Sequence, residues 1–220
     1  MKERLVVITG TTAGLGKGLF DALKDSCDII TVNRRMPEDR AHINICADLS
    51  DVETVKRCGL EKMLSVRTGY GSYVFINNAF TMGSLTDACE LDADDVVDSV
   101  NVNVTSAILL LNGFVRSVRG KAQDVRVVNI TSGAARRSLH GWSLYCTAKA
   151  AMEMYVNCLG NDCSDIKCFN IDPGVVDTDM QAKIRDFKDG REHDVFDSLA
   201  REGRLKTPDQ AAEMIIRECL

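Results

Sequence analysis

The sequence has 220 residues, which at roughly 100–200 residues per domain allows one domain and excludes two independent cores of normal size. Hydrophobic residues make up 45% and charged residues 27%, the balance of an ordinary globular protein with a large core. A net charge of −5 excludes the basic field that attracts nucleic acid or anionic lipid, so neither is expected as a partner.

The first half of the chain alternates predicted strands with predicted helices. Residues 4–9 are a short apolar run that ends at Gly10, which is typical of a strand buried on both faces. The pattern that follows predicts a helix over 14–24, strands over 28–33 and 42–47, a helix over 51–64 and a strand over 72–77.

The second half continues this alternation. A helical stretch over 92–118, as two helices or one kinked helix, precedes a strand over 125–130, a helix over 143–159 and a strand over 166–171. Pro173-Gly174 then breaks the chain, a charged stretch over 177–203 is expected to be helical, and Thr207 caps a last helix with Pro208 at its first position. We therefore expect an α/β fold, a single-domain, Rossmann-like, doubly wound parallel sheet flanked by helices.

The composition also bears on the compartment. No run approaches the ~20 apolar residues that cross a bilayer, and the first residues lack a secretory signal, so we expect a cytoplasmic protein without a membrane partner. The nine cysteines are odd in number and no pair is spaced CxxC, which argues against a disulfide framework or a zinc site. Free thiols in a reducing compartment, and no metal, are expected.

A glycine-rich turn lies where the first predicted strand meets the first helix. It reads Thr9-Gly10-Thr11-Thr12-Ala13-Gly14-Leu15-Gly16. Glycines let the backbone approach a diphosphate closely, and the helix N-terminus beyond them offers unpaired N–H groups and a positive dipole end. A dinucleotide is the expected ligand, and an ordinary Gly-rich connection is the alternative.

The end of the second strand indicates which dinucleotide. A carboxylate there would bind the adenosine ribose 2′-OH of NAD, but the strand ends Thr31-Val32-Asn33-Arg34-Arg35. Because a guanidinium pairs well with a phosphate, Arg34, assisted by Arg35, is predicted to bind the 2′-phosphate of NADP(H). Two solvated loop arginines are the alternative. Asp48 is placed either to accept a hydrogen bond from the adenine amino group or to start the next helix.

Tyr145 and Lys149 are four residues apart in a predicted helix, so both project from one face. An ammonium beside a phenol favours the phenolate, so the pKa of Tyr145 is expected to fall toward working pH, which suits a general acid for a carbonyl oxygen. Ser132 ends the preceding strand, and its hydroxyl can hydrogen-bond the same oxygen.

With these residues in order, the chain resembles a compact short-chain dehydrogenase/reductase over nearly its whole length. The resemblance rests on Thr9-Gly10 with Gly14 and Gly16, Asp48-Leu49, Asn77-Asn78-Ala79, Asn103, Ser132, Tyr145 with Lys149, and Pro173-Gly174 with Thr178. It implies the family's fold, a nicotinamide cofactor and a small-molecule substrate.

The resemblance also implies residue roles. Tyr145 would transfer a proton to or from the substrate oxygen, which Ser132 orients, while Lys149 holds the nicotinamide ribose hydroxyls. Asn103 would hold a water that relays protons to solvent, with Asn101 as the rival for that position. The implied cofactor-binding residues are Gly10, Thr12, Gly14, Leu15, Gly16, Arg34, Asp48, Leu49, Asn78, Ala79, Tyr145, Lys149, Pro173, Gly174, Val176 and Thr178.

Several segments resemble the sepiapterin reductase and bacterial benzil reductase branch, namely Ser132-Gly133-Ala134-Ala135, Gly141-Trp142-Ser143-Leu144-Tyr145-Cys146 with Lys149-Ala150-Ala151, and Asp177-Thr178-Asp179-Met180-Gln181. This implies an NADPH-dependent oxidoreductase that reduces a ketone or dicarbonyl to a secondary alcohol. Ala134, Trp142 and Met180 would bind the substrate, although core packing is the alternative for Trp142. The reverse alcohol oxidation, and a regulatory protein that binds NADP(H) without turnover, are the alternative functions.

Other features bear on how far the family's properties apply. Phe80 stands where the family motif has glycine, beside the nicotinamide site. The chain ends at Leu220, so the family's last strand is expected to be missing from the sheet. The stretch 177–203 is expected to form a lid over the substrate, and a homodimer or homotetramer is implied by the family.

Overall fold

The computed structural model describes residues 2–37, 41–187 and 191–220. Six strands form one sheet: β1 (Arg4–Thr9), β2 (Asp28–Asn33), β3 (Ile43–Cys46), β4 (Ser72–Asn77), β5 (Asp124–Ile130) and β6 (Ile166–Ile171). Their order is β3-β2-β1-β4-β5-β6, and every pairing is parallel. The predicted α/β fold is confirmed. β6 lies at one edge of this sheet, and within the described residues no strand follows the last helix.

The helices of the described part connect successive strands and close the fold. They are α1 (Gly14–Leu23), α2 (Val52–Arg57), α3 (Leu60–Ser65), α4 (Ala93–Val100), α5 (Ser106–Val118), α6 (Ser143–Asp162), α7 (Asp179–Asp186), α8 (Arg191–Arg201) and α9 (Pro208–Cys219). Thr207 caps α9 as predicted, in a reciprocal capping box with Gln210.

Two apolar layers cover the sheet. On one face, strand residues such as Phe75 pack with Phe114 of α5 and other residues from α2, α3 and α6. On the other face, strand residues such as Val6 pack with Leu19 of α1 and Ile215 of α9. Each of these side chains is essentially inaccessible to water and contributes roughly 1.5–3 kcal/mol by its burial. The two layers make the sheet doubly wound.

The predicted helix 51–64 is two helices. Gly59, with φ of 82°, lies in the left-handed region that only glycine enters cheaply and separates α2 from α3. Asp51 caps α2 by accepting hydrogen bonds from the backbone N–H groups of Glu53 and Thr54. The predicted stretch 92–118 is also interrupted, by a π-helical turn over Asn101–Thr105 between α4 and α5.

The continuous helical stretch Ala93–Val118 is long and apolar enough to pass a membrane-span test on length and composition alone. Its apolar residues Leu110, Leu111, Phe114 and Val118 are buried in the core layer against the sheet. Helices of protein cores pass the same test, so this stretch is weak evidence for a membrane span.

The carboxyl ends of the strands are tied together by a row of amides. Asn77, Asn129 and Asn170 are in register on β4, β5 and β6. The Asn77 Nδ2 donates to Asn129 Oδ1 at 2.9 Å, and the Asn129 Nδ2 donates to Asn170 Oδ1 at 2.8 Å. The Asn170 Nδ2 in turn donates to Asn157 Oδ1 of α6 at 2.9 Å. This row joins α6 to β6 at the carboxyl ends of the strands, the end of the sheet at which doubly wound folds bind ligands.

Candidate active site

A cleft of about 1150 Å³ opens at the carboxyl ends of the strands. One end is walled by the glycine-rich turn. Gly10 has φ of 71°, and a Cβ on Gly16 would lie 1.9 Å from the Gly10 carbonyl oxygen and 2.4 Å from Asn78 Nδ2. The close approach of the Gly10 carbonyl group and the Asn78 side chain therefore requires glycine at position 16.

Asn78 holds this turn from the neighbouring strand. Its Nδ2 donates to the carbonyl oxygens of Thr9 at 3.0 Å and Gly10 at 2.9 Å. The Thr9 Oγ1 accepts hydrogen bonds from the backbone N–H groups of Asn78 and Ala79. The ends of β1 and β4 are thereby locked together at the switch point, with Asn78 and Ala79 in the cleft wall as expected.

The first turn of α1 points into this end of the cleft without a side-chain cap. Its N-cap residue is Ala13, which has no side-chain oxygen to accept the free N–H groups. Thr12, Gly14 and Leu15 line the cleft beside it. An uncapped helix N-terminus beneath a glycine-rich turn suits an anionic diphosphate.

The adenosine end of a dinucleotide would lie near the end of β2. Arg34 and Arg35, which stand where an NAD-binding chain would have a carboxylate, are exposed and line the cleft. The Asp48 Oδ1 accepts hydrogen bonds from the Ser50 backbone N–H at 3.0 Å and from its hydroxyl at 2.9 Å. Because Asp51 caps the following helix, Asp48 is not its N-cap and stays in the cleft wall with Leu49.

Ser132, Tyr145 and Lys149 meet in the middle of the cleft. The Ser132 hydroxyl hydrogen-bonds the Tyr145 phenol. The Lys149 Nζ donates to the Ile130 carbonyl oxygen at 2.7 Å and lies 5.7 Å from the centre of the Tyr145 ring. The predicted reaction residues are thus brought together by β5 and one face of α6.

The expected lowering of the Tyr145 pKa is wrong for this structure. Burial raises the pKa of Tyr145, and the charge of Asp172 adds to this, while the Ser132 hydrogen bond opposes it. Burial also lowers the pKa of Lys149 to about 7, with Asp172 opposing the shift. Lys149 therefore carries only a partial charge near neutral pH and cannot be treated as a fixed ammonium beside the phenol.

Phe80 covers one side of the buried Lys149 ammonium. Its ring centre lies 3.8 Å from the Lys149 Nζ, and the ring meets Tyr145 edge to face at 5.1 Å. A glycine at this position, as in the family motif, would leave that face of Lys149 open. The ring covers the group predicted to hold the nicotinamide ribose, so ribose binding there requires the ring to turn aside.

Asn103 sits behind this centre on the π-helical turn and is 1% exposed. Its Oδ1 accepts from the Thr81 backbone N–H at 2.8 Å, and its Nδ2 donates to the Thr81 carbonyl oxygen and to Ser99 Oγ. The rival, Asn101, instead donates to the Ser50 carbonyl oxygen at 3.2 Å. Asn103 thus positions the segment after Phe80, and its relay role remains a prediction.

The segment after β6 forms the opposite wall. Pro173, Gly174, Val176 and Thr178 all line the cleft, and their binding of the cofactor stays a prediction. Thr178 caps α7 through its hydroxyl, and its methyl carbon would lie 3.1 Å from a Cβ on Gly14, so this wall packs directly on the glycine-rich turn.

An aromatic and aliphatic cluster closes the other end of the cleft. Trp142 is 4% exposed and stacks on Phe196 of α8 at 5.6 Å, while it meets Tyr145 edge to face at 5.7 Å. A Cβ on Gly141 would lie 2.8 Å from the ring of Phe187, so two aromatic residues of the predicted lid rest on this turn. Trp142 is buried in this cluster and is also part of the cleft wall. Its expected place in the substrate pocket and the alternative of core packing are therefore both compatible with the structure.

The remaining predicted substrate residues belong to the same cluster, which contains Ala134, Met180, Phe80, Met82, Leu85, Leu139, Ile184 and Phe196. Of the predicted lid 177–203, residues 188–190 lie outside the described residues; the described parts include α7 and α8. Phe196 was missed from the sequence. Its sequence signal is an aromatic side chain next to Val195 in a helix that is mostly polar.

Known proteins resemble this chain over most of its length. The profile of the family described as short chain dehydrogenase matches residues 4–189. The chain belongs to the short-chain dehydrogenases. Being a member of this family, it is an oxidoreductase.

Among its relatives is a benzil reductase ((S)-benzoin forming) of Bacillus cereus, 31% identical over 96% of this chain and 92% of that protein. A sepiapterin reductase of Meriones unguiculatus is 30% identical over 82% of this chain and 77% of that protein.

Solved structures share the fold at lower identity. The KRED1-Pglu enzyme superposes with a TM-score of 0.81 and 24% identity, covering 95% of this chain and 91% of that one. A short chain dehydrogenase of Burkholderia cenocepacia, solved in complex with NADP, gives a TM-score of 0.74 at 23% identity over 97% and 89% of the two chains.

Proposed function

We propose that this short-chain dehydrogenase is an NADPH-dependent carbonyl reductase that converts a ketone or dicarbonyl to a secondary alcohol. The observation that carries the proposal is the meeting of Ser132, Tyr145 and Lys149 between a dinucleotide-shaped cleft and an apolar cluster. The relatives named for benzil and sepiapterin reduction support the same substrate class.

The cleft fits NADP(H) at its diphosphate and adenosine ends. The uncapped N-terminus of α1 and the Cβ-free surface at Gly16 would hold the diphosphate. Arg34 would bind the 2′-phosphate, and Asp48 the adenine amino group. When bound, NADPH supplies the hydride, and the protein supplies orientation and proton transfer.

The chain's own residues account for the proton. The Tyr145 phenol, which is protonated at neutral pH and whose pKa burial raises further, donates its proton to the substrate oxygen as negative charge develops there. The Ser132 hydroxyl, already hydrogen-bonded to Tyr145, orients that oxygen. Lys149 would bind the ribose hydroxyls once Phe80 has turned aside, and in its protonated form it stabilises the tyrosinate that results.

The proposal extends the family's assembly and lid to this chain. The stretch 177–203 would close over the substrate, excluding water from the reacting oxygen. A homodimer or homotetramer in the cytoplasm is the corresponding expectation for the whole protein.

The decisive experiment compares wild type with Tyr145→Phe, following NADPH oxidation at 340 nm with benzil as substrate. The phenylalanine keeps the ring contacts with Trp142 and Phe80 and removes only the proton donor. We expect kcat to fall by roughly 10²–10⁴-fold with NADPH affinity unchanged. Normal turnover by the variant would refute the mechanism, and an NADH preference in wild type would refute the assigned cofactor.

A second candidate function is binding of NADP(H) without turnover, and the ring of Phe80 over Lys149 is the observation that favours it. Tight NADPH binding by wild type, with no oxidation against a broad panel of ketones, dicarbonyls and aldehydes, would establish it instead.

A further inference from the structure

Gln181, in the first turn of α7, carries a buried amide without a partner. Its side chain is 4% exposed, and its Nε2 has no acceptor among the described residues. A buried donor left unpaired costs free energy, so such groups in native proteins call for an explanation. Gln181 also lines the cleft, so a bound molecule is an available source of the missing acceptor.

The position of Gln181 on α7 shows which part of a ligand it faces. Thr178, three residues earlier, packs on Gly14 of the glycine-rich turn. Ile184, three residues later, is buried with Trp142 in the apolar cluster. Residues three apart are neighbours on one helix face, so Gln181 lies between the cofactor end and the substrate end of the cleft.

Close to Ser132 and Tyr145 the substrate end is mainly hydrocarbon; Arg137 and Lys183 also line the cleft, but both are exposed, whereas Gln181 is buried. The described walls of this end are the cluster that contains Met82, Ala134 and Trp142, and the hydroxyl groups of Ser132 and Tyr145 are engaged by the oxygen that is reduced in the proposed function. A second oxygen on the adjoining carbon of the substrate would enter these apolar walls, and it would need a donor there.

We propose that Gln181 is a specificity-determining residue whose side-chain amide donates a hydrogen bond to a second substrate oxygen, on the carbon next to the reacting carbonyl. The inference rests on the proposed function and deepens it. It assigns vicinal dicarbonyl compounds and α-hydroxy ketones as the ligand class, in preference to simple ketones of the same shape.

The test uses ligand binding, so that it does not depend on turnover. Trp142 is the only tryptophan in the sequence and lies in the cluster, so its fluorescence reports occupancy of the substrate end. Wild type, Gln181→Met and the control Gln123→Met would be titrated in the presence of NADP⁺ with benzil and with deoxybenzoin, which lacks one of the two oxygens. Gln123 is exposed and remote from the cleft, so the control makes the same chemical change elsewhere.

We expect Gln181→Met to weaken benzil binding by about 2- to 12-fold, the range for one uncharged hydrogen bond, and to leave deoxybenzoin and NADP⁺ affinity unchanged. The free variant should melt no lower than wild type, because it loses an unpaired buried amide. A structural role for Gln181 would instead lower the melting temperature.

An unchanged ratio of the benzil and deoxybenzoin affinities, or an equal loss of both affinities together with weaker NADP⁺ binding, would overturn the inference. Binding with this selectivity but without reduction would refute the proposed function and leave the role of Gln181 intact.

Discussion

Replacing Phe80 with glycine restores the family residue and uncovers Lys149. In the structure the ring centre lies 3.8 Å from the Lys149 Nζ, and the lysine is 5% exposed. The substitution opens one face of the ammonium to water while the hydrogen bond to the Ile130 carbonyl oxygen stays in place. The expected result is a higher pKa for Lys149.

The size of the effect follows from two opposing contributions. Burial lowers the pKa of Lys149 to about 7, which at about 1.36 kcal/mol per pKa unit is a desolvation cost of roughly 4–5 kcal/mol relative to a free lysine. The cation–π contact opposes this by roughly 0.5–2 kcal/mol. Because the cost of burial is larger than the cation–π contribution, water exclusion dominates, and opening one face should raise the pKa by about 1–2 units.

The assay is the pH dependence of NADPH affinity, measured by NADPH fluorescence from pH 6 to 10. Affinity should fall as Lys149 loses its proton, with a break near pH 7 in wild type and near pH 8–9 in Phe80→Gly. Asp172 is present in all variants, so its charge cancels in the comparison. Phe80→Leu is the control, since it keeps water out without an aromatic face, and its break should lie at or below that of wild type. Coincident breaks in wild type and Phe80→Gly, with both proteins folded by thermal melting, would refute this reasoning.

Three further outcomes are expected. Lys149→Met should be more stable than wild type at pH 6 in urea unfolding, by on the order of 3 kcal/mol, because the buried ammonium destabilises the folded wild type below its folded pKa. This difference in unfolding free energy should shrink as the pH rises from about 7 to 10, because the folded wild type loses that charge. A difference that stays constant with pH would contradict this prediction. Arg34→Ala should weaken NADPH binding roughly 10- to 100-fold and leave NADH unaffected, whereas equal losses would deny a 2′-phosphate contact. Gly16→Ala should have a lower melting temperature and lose NADPH binding, because its Cβ would lie 1.9 Å from the Gly10 carbonyl oxygen. Wild-type affinity for NADPH in this variant would show that the turn can rearrange to hold a Cβ.

The strands were predictable because their signal is local. Buried parallel strands are short apolar runs between turn residues, and the predicted limits of β1, β2, β4 and β6 agree with the structure. The helix break at Gly59 was not predicted, and the stretch 92–118 was expected as two helices or one kinked helix but without its π-helical turn. Gly59 breaks a helix whose apolar spacing continues on both sides, and the π-helical turn at Asn101–Thr105 changes hydrogen bonding without changing the pattern of side chains.

At the site, motif spacing located the residues but not their electrostatics. The four-residue separation of Tyr145 and Lys149 correctly placed both on one face of α6. It could not show that burial would raise the pKa of Tyr145, or that Phe80, far away in sequence, would cover the Lys149 ammonium. Phe196 and Gln181 were missed for the same reason, since their significance lies in contacts or lost partners that only the folded chain reveals.

The row of amides across β4, β5 and β6 has an evolutionary consequence. The side-chain amide nitrogen of Asn77 donates to Asn129, and that of Asn129 donates to Asn170. A single replacement at Asn77, Asn129 or Asn170 therefore leaves a neighbouring amide without a hydrogen-bond partner. Changes at these positions should therefore be inherited together. Among related chains we expect the three positions to covary as a unit, keeping the full row or replacing it with apolar residues.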